Sequence, residues 1–379
     1  MKAFSWILMA VSLAAAPLPA ADAPARPRRA AAKQEAAKEP PLKWRDVKEW
    51  GVEGRAFGDM ERKSWFDRLP ARAEGKVTNQ VWRLGQDTAG MLVRFKTDAK
   101  AIWANYKLRE ARLAQPNLTA IGASGLDLYA RDAEGKWRWV GVTKPDNQEV
   151  RQAIVSGMAP GFREYMLYLP LYNGIENLEI GVAPDAKFEA VAPRQEKPIV
   201  FYGTSITHGA SASRPGMCHT AILGRRFDRH VVNLGFSGNG RMDAAVGDLL
   251  VEIDAAVYVI DCVPNMNAEA VREKCIPLVK QLRAAKPEVP ILLVEDRRNT
   301  NSWVLPQRNS HHEKNHEALK ECFASLQAEG IKNLHYLPGD KLLGDDGEAS
   351  TDGSHPSDLG FVRQADVFES VLRPLLGAK

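Results

Sequence analysis

Cysteine is scarce: the 379 residues hold four, Cys218, Cys262, Cys275 and Cys322, with no CxxC or CxxH spacing among them. That excludes a structural zinc site built on cysteine pairs. It leaves disulfide pairing open, although Cys262 closes an apolar run and suits a buried thiol equally well. Charge of one sign is also lacking. The formal net charge is only +4, and part of the excess sits in Arg26, Arg28, Arg29 and Lys33. No basic face with interleaved aromatics follows, so nucleic acid is not an expected partner. Apolar runs long enough to span a bilayer are missing, since Phe4–Ala15 is too short and no second run follows. Phosphate-cradling loops are missing as well. Gly203 and Gly209 stand six apart, Ala210 follows with no lysine, and no GxGxxG comes after a strand. No cofactor and no metal are therefore expected.

What is present begins with Lys2, the Phe4–Ala15 run and the small-residue stretch "APLPAADAP". This order reads as a signal peptide over 1–20, giving an exported, periplasmic or extracellular protein. With no cysteine near the cleavage region, no lipid or membrane anchor is expected. Residues 21–41 are rich in Ala, Pro, Lys and Arg and read as a disordered linker, because they bury too little to offset their ordering entropy.

Residues 42–192 read as β. Short apolar or alternating runs ("QVWRLG", "GMLVRFKTD", "AIWANYKL", "GLDLYARD", "WRWVGV", "EYMLYLPLY", "NLEIGV") are separated by turn residues, as in an all-β, jelly-roll-like sandwich. Trp44, Trp50, Trp65, Trp82, Trp103, Trp137 and Trp139 fall here. Exposed, they would stack on sugar rings; most are expected to fill the sandwich core. "VAPRQEKP" then forms a seam, and the rhythm changes over 196–379. Apolar runs at 198–202, 230–234, 256–261, 290–295 and 333–337 alternate with helical stretches near 216–228, 242–253, 268–286, 309–329 and 358–375. Such alternation predicts a parallel sheet covered on both faces, a three-layer α/β/α flavodoxin-like domain with its chemistry at the carboxyl ends of the strands.

"FYGTSITHGAS" (Phe201–Ser211) sits at the end of the first of these strands. Once phosphate binding is excluded, its serine between two glycines reads as a nucleophile. A serine needs a base, an orienting group for that base, and donors for the oxyanion. "NLGFSGNG" offers the N–H of Gly238, "DCVPNMN" the side-chain amide of Asn265, and "TDGSHPSDLG" sets Asp352 and His355 three residues apart before the last helix.

Taken together, these four blocks resemble the SGNH (GDSL-like) hydrolases over roughly 196–379. The resemblance implies Ser205 as nucleophile, His355 as base and Asp352 as its orienting acid. It implies Ser205 N–H, Gly238 and Asn265 as the oxyanion hole. The match departs at Thr204 and Met266, where the family often has Asp, so no side-chain role carries over there. The half containing "GLDLY" and "YLPLYNG" resembles the β-sandwich preceding the hydrolase domain in some secreted bacterial members. The implied function is a secreted serine esterase, its activity falling on the acid side as His355 protonates. Its expected substrate is a small acyl ester, acetyl above all, on carbohydrate.

Alternatives from other classes are a lipid or aryl esterase and a carbohydrate-binding protein with an inert hydrolase half. A zinc peptidase is suggested by His312-Glu313-x-x-His316 in "HHEKNH". The charged neighbours Arg308, Lys314, Lys320 and Glu321 instead predict a solvated helix at the rim of the site. Glu295 and Arg297, at the end of strand four, read as a structural ion pair more readily than as substrate contacts.

Overall fold

Alternating burial builds the first half. In the computed structural model, which describes residues 40–58 and 60–377, the chain from Pro41 onward forms one compact unit. The signal peptide and nearly all of the linker expected over 1–41 lie outside the described residues. The elements run β1 (Lys43–Asp46), α1 (Asn79–Leu84), β2 (Leu92–Thr97), β3 (Ala101–Leu108), α2 (Ala120–Ser124) and β4 (Asp127–Arg131). β5 (Trp137–Val142), β6 (Glu149–Ser156), β7 (Arg163–Tyr168), β8 (Ile175–Val182) and β9 (Phe188–Val191) follow. They pair antiparallel into two sheets, ordered β1-β8-β3-β6 and β5-β4-β7-β2-β9. Along β3, Ile102, Ala104, Tyr106 and Leu108 point inward and meet Phe95, Leu128, Tyr165 and Leu167 from the other sheet in one core.

The second sheet is covered on both faces. Tyr129, Met166 and Tyr168, of opposite parity, pack with Phe201, Ile222, Phe361 and Phe368 from the C-terminal half, so β4 and β7 are almost wholly buried. Two expectations need correction. "QVWRLG" is not a strand but α1: Thr78 Oγ1 caps it by accepting from Val81 N–H at 3.2 Å, and Val81 and Leu84 share its buried face. The tryptophans do not fill the core. Six are half-buried, of which Trp50 and Trp65 border the sandwich core, and Trp139 is 52% exposed.

The C-terminal half runs β10 (Ile199–Gly203), α3 (Ser205–His208), α4 (His219–Arg226), β11 (Val231–Gly235), α5 (Ala244–Leu250) and β12 (Val257–Asp261). α6 (Ala268–Ala285), β13 (Ile291–Val294), α7 (Pro306–Ala328), β14 (Leu334–Leu337) and α8 (Asp358–Leu375) complete it. The five strands are parallel, in the order β11-β10-β12-β13-β14. This is the flavodoxin-like order, and the loops after β10, β11, β12 and β13 converge on one edge.

Candidate active site

The chain leaves β10 through Gly203, where a β-carbon would stand 2.1 Å from Thr207 Oγ1 and 2.9 Å from Asp261 O, so only glycine fits. Thr204 caps the next turn, its Oγ1 accepting from Ile206 N–H at 3.3 Å, and Ser205 is the first residue of α3. Gly209, at φ +107°, ends that turn in a conformation L side chains rarely adopt. The two glycines thus frame a one-turn helix that delivers Ser205 to the sheet edge.

Ser205 Oγ lies 2.9 Å from His355 Nε2, and His355 Nδ1 lies 2.8 Å from Asp352 Oδ2. With Nδ1–H given to Asp352, Nε2 is left as the acceptor facing the serine. Asp352 Oδ1 accepts the N–H groups of His355 (2.8 Å) and Ser354 (3.0 Å). Burial pushes the Asp352 carboxyl up, but these N–H groups and the ring beside it outweigh that and hold it down at about 2. The turn is pinned by Thr351 N–H donating to His355 O at 2.8 Å and by Arg297 Nε donating to Ser354 O at 3.1 Å.

Gly238 adopts φ +69° on the loop after β11, and its N–H has no protein acceptor among the described residues. Asn265 ends the 3-10 turn Val263–Asn265 after β12. Its carboxamide lies against Asn239 N–H (3.1 Å) and Gly240 N–H (3.3 Å), so its oxygen turns to accept both and its NH2 stays free to donate elsewhere. A β-carbon on Gly240 would stand 1.9 Å from Gly203 O, which presses this loop onto the nucleophile's strand end. The structure therefore joins Ser205, His355 and Asp352 in one hydrogen-bonded chain and sets the Gly238 and Asn265 loops beside it.

Further residues at this edge carried no local signal. Tyr172 of the β half reaches Ser205 O with its hydroxyl at 3.3 Å, and Asn117 reaches Asp352. Asp261, 5% exposed, accepts from Thr207 Oγ1 at 3.1 Å, and burial raises its carboxyl to about 7. The HExxH helix also needs correction, because His312 and His316 are buried rather than solvated. His312 Nδ1 pairs with Asp296 Oδ2 at 2.7 Å, and His316 Nε2 donates to Asp296 O at 2.6 Å. Both imidazoles brace the end of β13. Among the described residues, no group of three or more His, Cys, Asp or Glu could hold a metal ion. Glu295 is likewise structural, accepting Gly339 N–H at 2.7 Å and pairing with Lys320, while Arg297 pairs with Asp296. All four cysteines are free buried thiols.

The five-stranded parallel sheet covered by helices defines a three-layer α/β fold, with Ser205, His355 and Asp352 in hydrogen-bond contact at its strand-end edge. The family model "GDSL-like Lipase/Acylhydrolase family" matches residues 196–373, and a model of the N-terminus of SGNH-hydrolase-type esterases matches 42–188. The structure of a GDSL-like lipase from Bacteroides ovatus is 32% identical, covering 89% of this chain and 99% of that one, with a TM-score of 0.85. The chain belongs to the SGNH (GDSL-like) hydrolase family. More distant likenesses share the fold. A salicylyl-acyltransferase from a tetracycline biosynthetic pathway is 18% identical, with TM-score 0.69, over 88% of this chain and 97% of its own. A family two carbohydrate esterase from Cellvibrio japonicus is 12% identical, with TM-score 0.58, over 89% of this chain and 98% of its own. No curated protein sequence matches the chain. Among the described residues, no helix is long and apolar enough to cross a membrane.

Proposed function

We propose that this chain is an exported serine esterase that removes a small acyl group, acetyl above all, from carbohydrate. The observation that carries the reading is the Ser205–His355–Asp352 chain, with links of 2.9 and 2.8 Å. Ser205 Oγ attacks the ester carbon while its proton passes to His355 Nε2. The negative charge moves to the former carbonyl oxygen, received by Ser205 N–H, Gly238 N–H and the Asn265 amide. As the tetrahedral adduct collapses, the C–O bond to the alcohol breaks and His355 returns the proton to the leaving oxygen. Water then repeats the sequence on the acyl-enzyme and frees the acid. Asp352 stays ionised throughout and stabilises the imidazolium.

Three observations favour a polar sugar ester over a lipid or aryl ester. A cavity of about 270 Å³ abuts Ser354 and Pro264, the residues just before His355 and Asn265, and its other walls include Asp296, Arg297, Arg308 and His311. The loop after Ser205 carries polar groups tied down by Ser213 N–H donating to Asp358 at 2.9 Å and Arg214 pairing with Asp127 at 2.9 Å, a setting that suits a polar substrate better than a fatty chain. Trp303, 86% exposed, rides on a segment joined to the triad turn by Thr300 N–H to Gly353 O at 2.9 Å, where its ring is free to stack on a sugar. Carbohydrate esterases and an acetyl xylan esterase among the fold relatives agree with this reading. The test compares p-nitrophenyl acetate with the octanoate, then measures acetate release from acetylated xylan, mannan and peptidoglycan. Faster turnover of the acetate with release from one glycan is expected. Preference for octanoate with no release from any glycan refutes the substrate.

A further inference from the structure

Asn117 belongs to the β half, on the 109–119 segment between β3 and α2, yet its Nδ2 lies 3.3 Å from Asp352 Oδ2 and 3.4 Å from His355 Nδ1 across more than 230 residues. Proton accounting decides which contact is a bond. His355 Nδ1 carries the hydrogen given to Asp352, so it cannot also accept from Asn117. The Asn117 N–H therefore donates to Asp352 Oδ2. Turned the other way, the amide would set its oxygen against a carboxylate. Asp352 thus receives two backbone N–H groups on Oδ1 and, on Oδ2, the imidazole and Asn117 together.

The segment is held firmly enough to make this contact matter. Gln115 and Leu118 exchange backbone bonds of 2.8 and 3.1 Å around Pro116 and Asn117. Leu118 is buried, and Asn173 brackets Glu110 with two bonds of 3.0 Å. Gly122, just beyond, admits no β-carbon because one would stand 2.5 Å from Ala212 O, on the loop following Ser205. The β half is thus wedged between the nucleophile's loop and the acid–base turn. Asp352 needs such support, since its side chain is 38% exposed and water competes for Oδ2.

We propose that Asn117 is a positioning residue. It clamps the Asp352 carboxylate so that Oδ2 faces the His355 ring, and the β half thereby completes the acid–base pair. This rests on the triad proposed above. Few other charges bear on the pair. Arg297, bonded to Ser354, is matched by Asp296, and Arg112 on Asn117's own segment donates to Ala114 O.

Two substitutions in the full chain test it with p-nitrophenyl acetate across pH. Asn117→Ala removes one bond to a charged group and should lower kcat about tenfold. KM should move less than twofold, since Asn117 touches no substrate in this scheme. Asn117→Asp keeps the shape and adds a negative charge beside Asp352. That charge stabilises the imidazolium, so the acid limb of the kcat profile should move up by about one pH unit. A merely structural brace would lower thermal stability and scale activity equally at every pH. Asn117→Asp with the parent's acid limb, or Asn117→Ala with the parent's kcat, overturns the inference. Ser205→Ala, run alongside, separates the failures: retained activity there removes the triad itself, whereas an inactive Ser205→Ala beside unaffected Asn117 variants removes only the clamp.

Discussion

Arg68 Nη1 donates to the carbonyl of Asn233 at 2.9 Å, although 165 residues separate them. The same fully buried guanidinium also bonds Gly235 O (3.0 Å), Asp87 O (2.9 Å) and Leu84 O. Burial draws Arg68 down to about 10, so it remains cationic at neutral pH beside Asp87. One β-half side chain thus serves four carbonyls, two of them on β11, which leads to the Gly238 loop. Arg68→Met removes the guanidinium from all four buried carbonyls, of which Leu84 O keeps the Asp87 N–H at 3.2 Å, and should cost on the order of 3–5 kcal/mol. Urea denaturation of the full chain checks it; a loss under 1 kcal/mol would show that water replaces the guanidinium at little cost.

Ser205 and His355 act as a unit in the proposed mechanism, so removing either should cost nearly as much as removing both. Ser205→Ala, His355→Ala and the double variant should each lower kcat on p-nitrophenyl acetate by about 10³-fold or more with the fold intact by circular dichroism. Asp352→Asn should fall by about 10²–10⁴-fold, because an amide can hold the wrong imidazole tautomer. Asp352, held at about 2, stays ionised across the pH range of the assay. A double variant far slower than either single one would contradict the scheme.

Two glycines two residues apart should respond unequally. A β-carbon on Gly238 meets nothing within 4 Å, so Gly238→Ala bears only the strain of φ +69°, about 1–2 kcal/mol. On Gly240 it would drive into the Gly203 carbonyl, 1.9 Å from its O and 2.4 Å from its C, displacing the loop on which Asn265 rests. Gly240→Ala should therefore lose activity at least as severely as Asn265→Ala, for which about 10²–10³-fold in kcat is expected. Comparing kcat of the three variants decides it; a fully active Gly240→Ala would show that this packing does not shape the site.

The elements and site residues that were legible share a property: their signals are local. Ile199–Gly203 and Val257–Asp261 are short apolar runs between turns, and all ten residues are buried. Each of the four blocks comes at such a strand's end or before α8, which is why Ser205, Asp352 and His355 could be read together. α1 escaped because six residues with Val81, Trp82 and Leu84 fit a strand as well as a helix; the capping Thr78 was the overlooked cue. His312 and His316 escaped because exposed Glu313 and Lys314 lie on the opposite face of the same helix, and a charged neighbourhood masks a buried i, i+4 pair. Arg68 and Asn117 had no signal to read. Their partners lie 165 and 235 residues away and are created only when the halves dock.

Asp261 should make the fold less stable as pH rises, the reverse of an ordinary paired carboxylate. It is almost wholly buried; burial raises it to about 7, with Thr207 and Arg297 opposing and Asp296 adding to the rise. The unfolded chain loses this proton near pH 4, so between about 4 and 7 the native state binds more protons than the unfolded one. Stability from Asp261 is thus complete below about pH 4, is lost as pH climbs through 7, and is level above. Asp87, raised by burial to about 6, adds the same sign over a narrower window. Asp352 works oppositely, losing its contribution only as pH falls toward 2. Asp261→Asn keeps an oxygen for the Thr207 hydroxyl and discards the buried charge. At pH 8 it should raise stability by on the order of 2 kcal/mol and flatten the slope between pH 4 and 7. Denaturant titrations at pH 4, 6 and 8 measure both effects. A variant less stable than the parent at pH 8, with the slope unchanged, would mean that the Asp261 carboxylate is stabilised by its surroundings and that burial does not govern it.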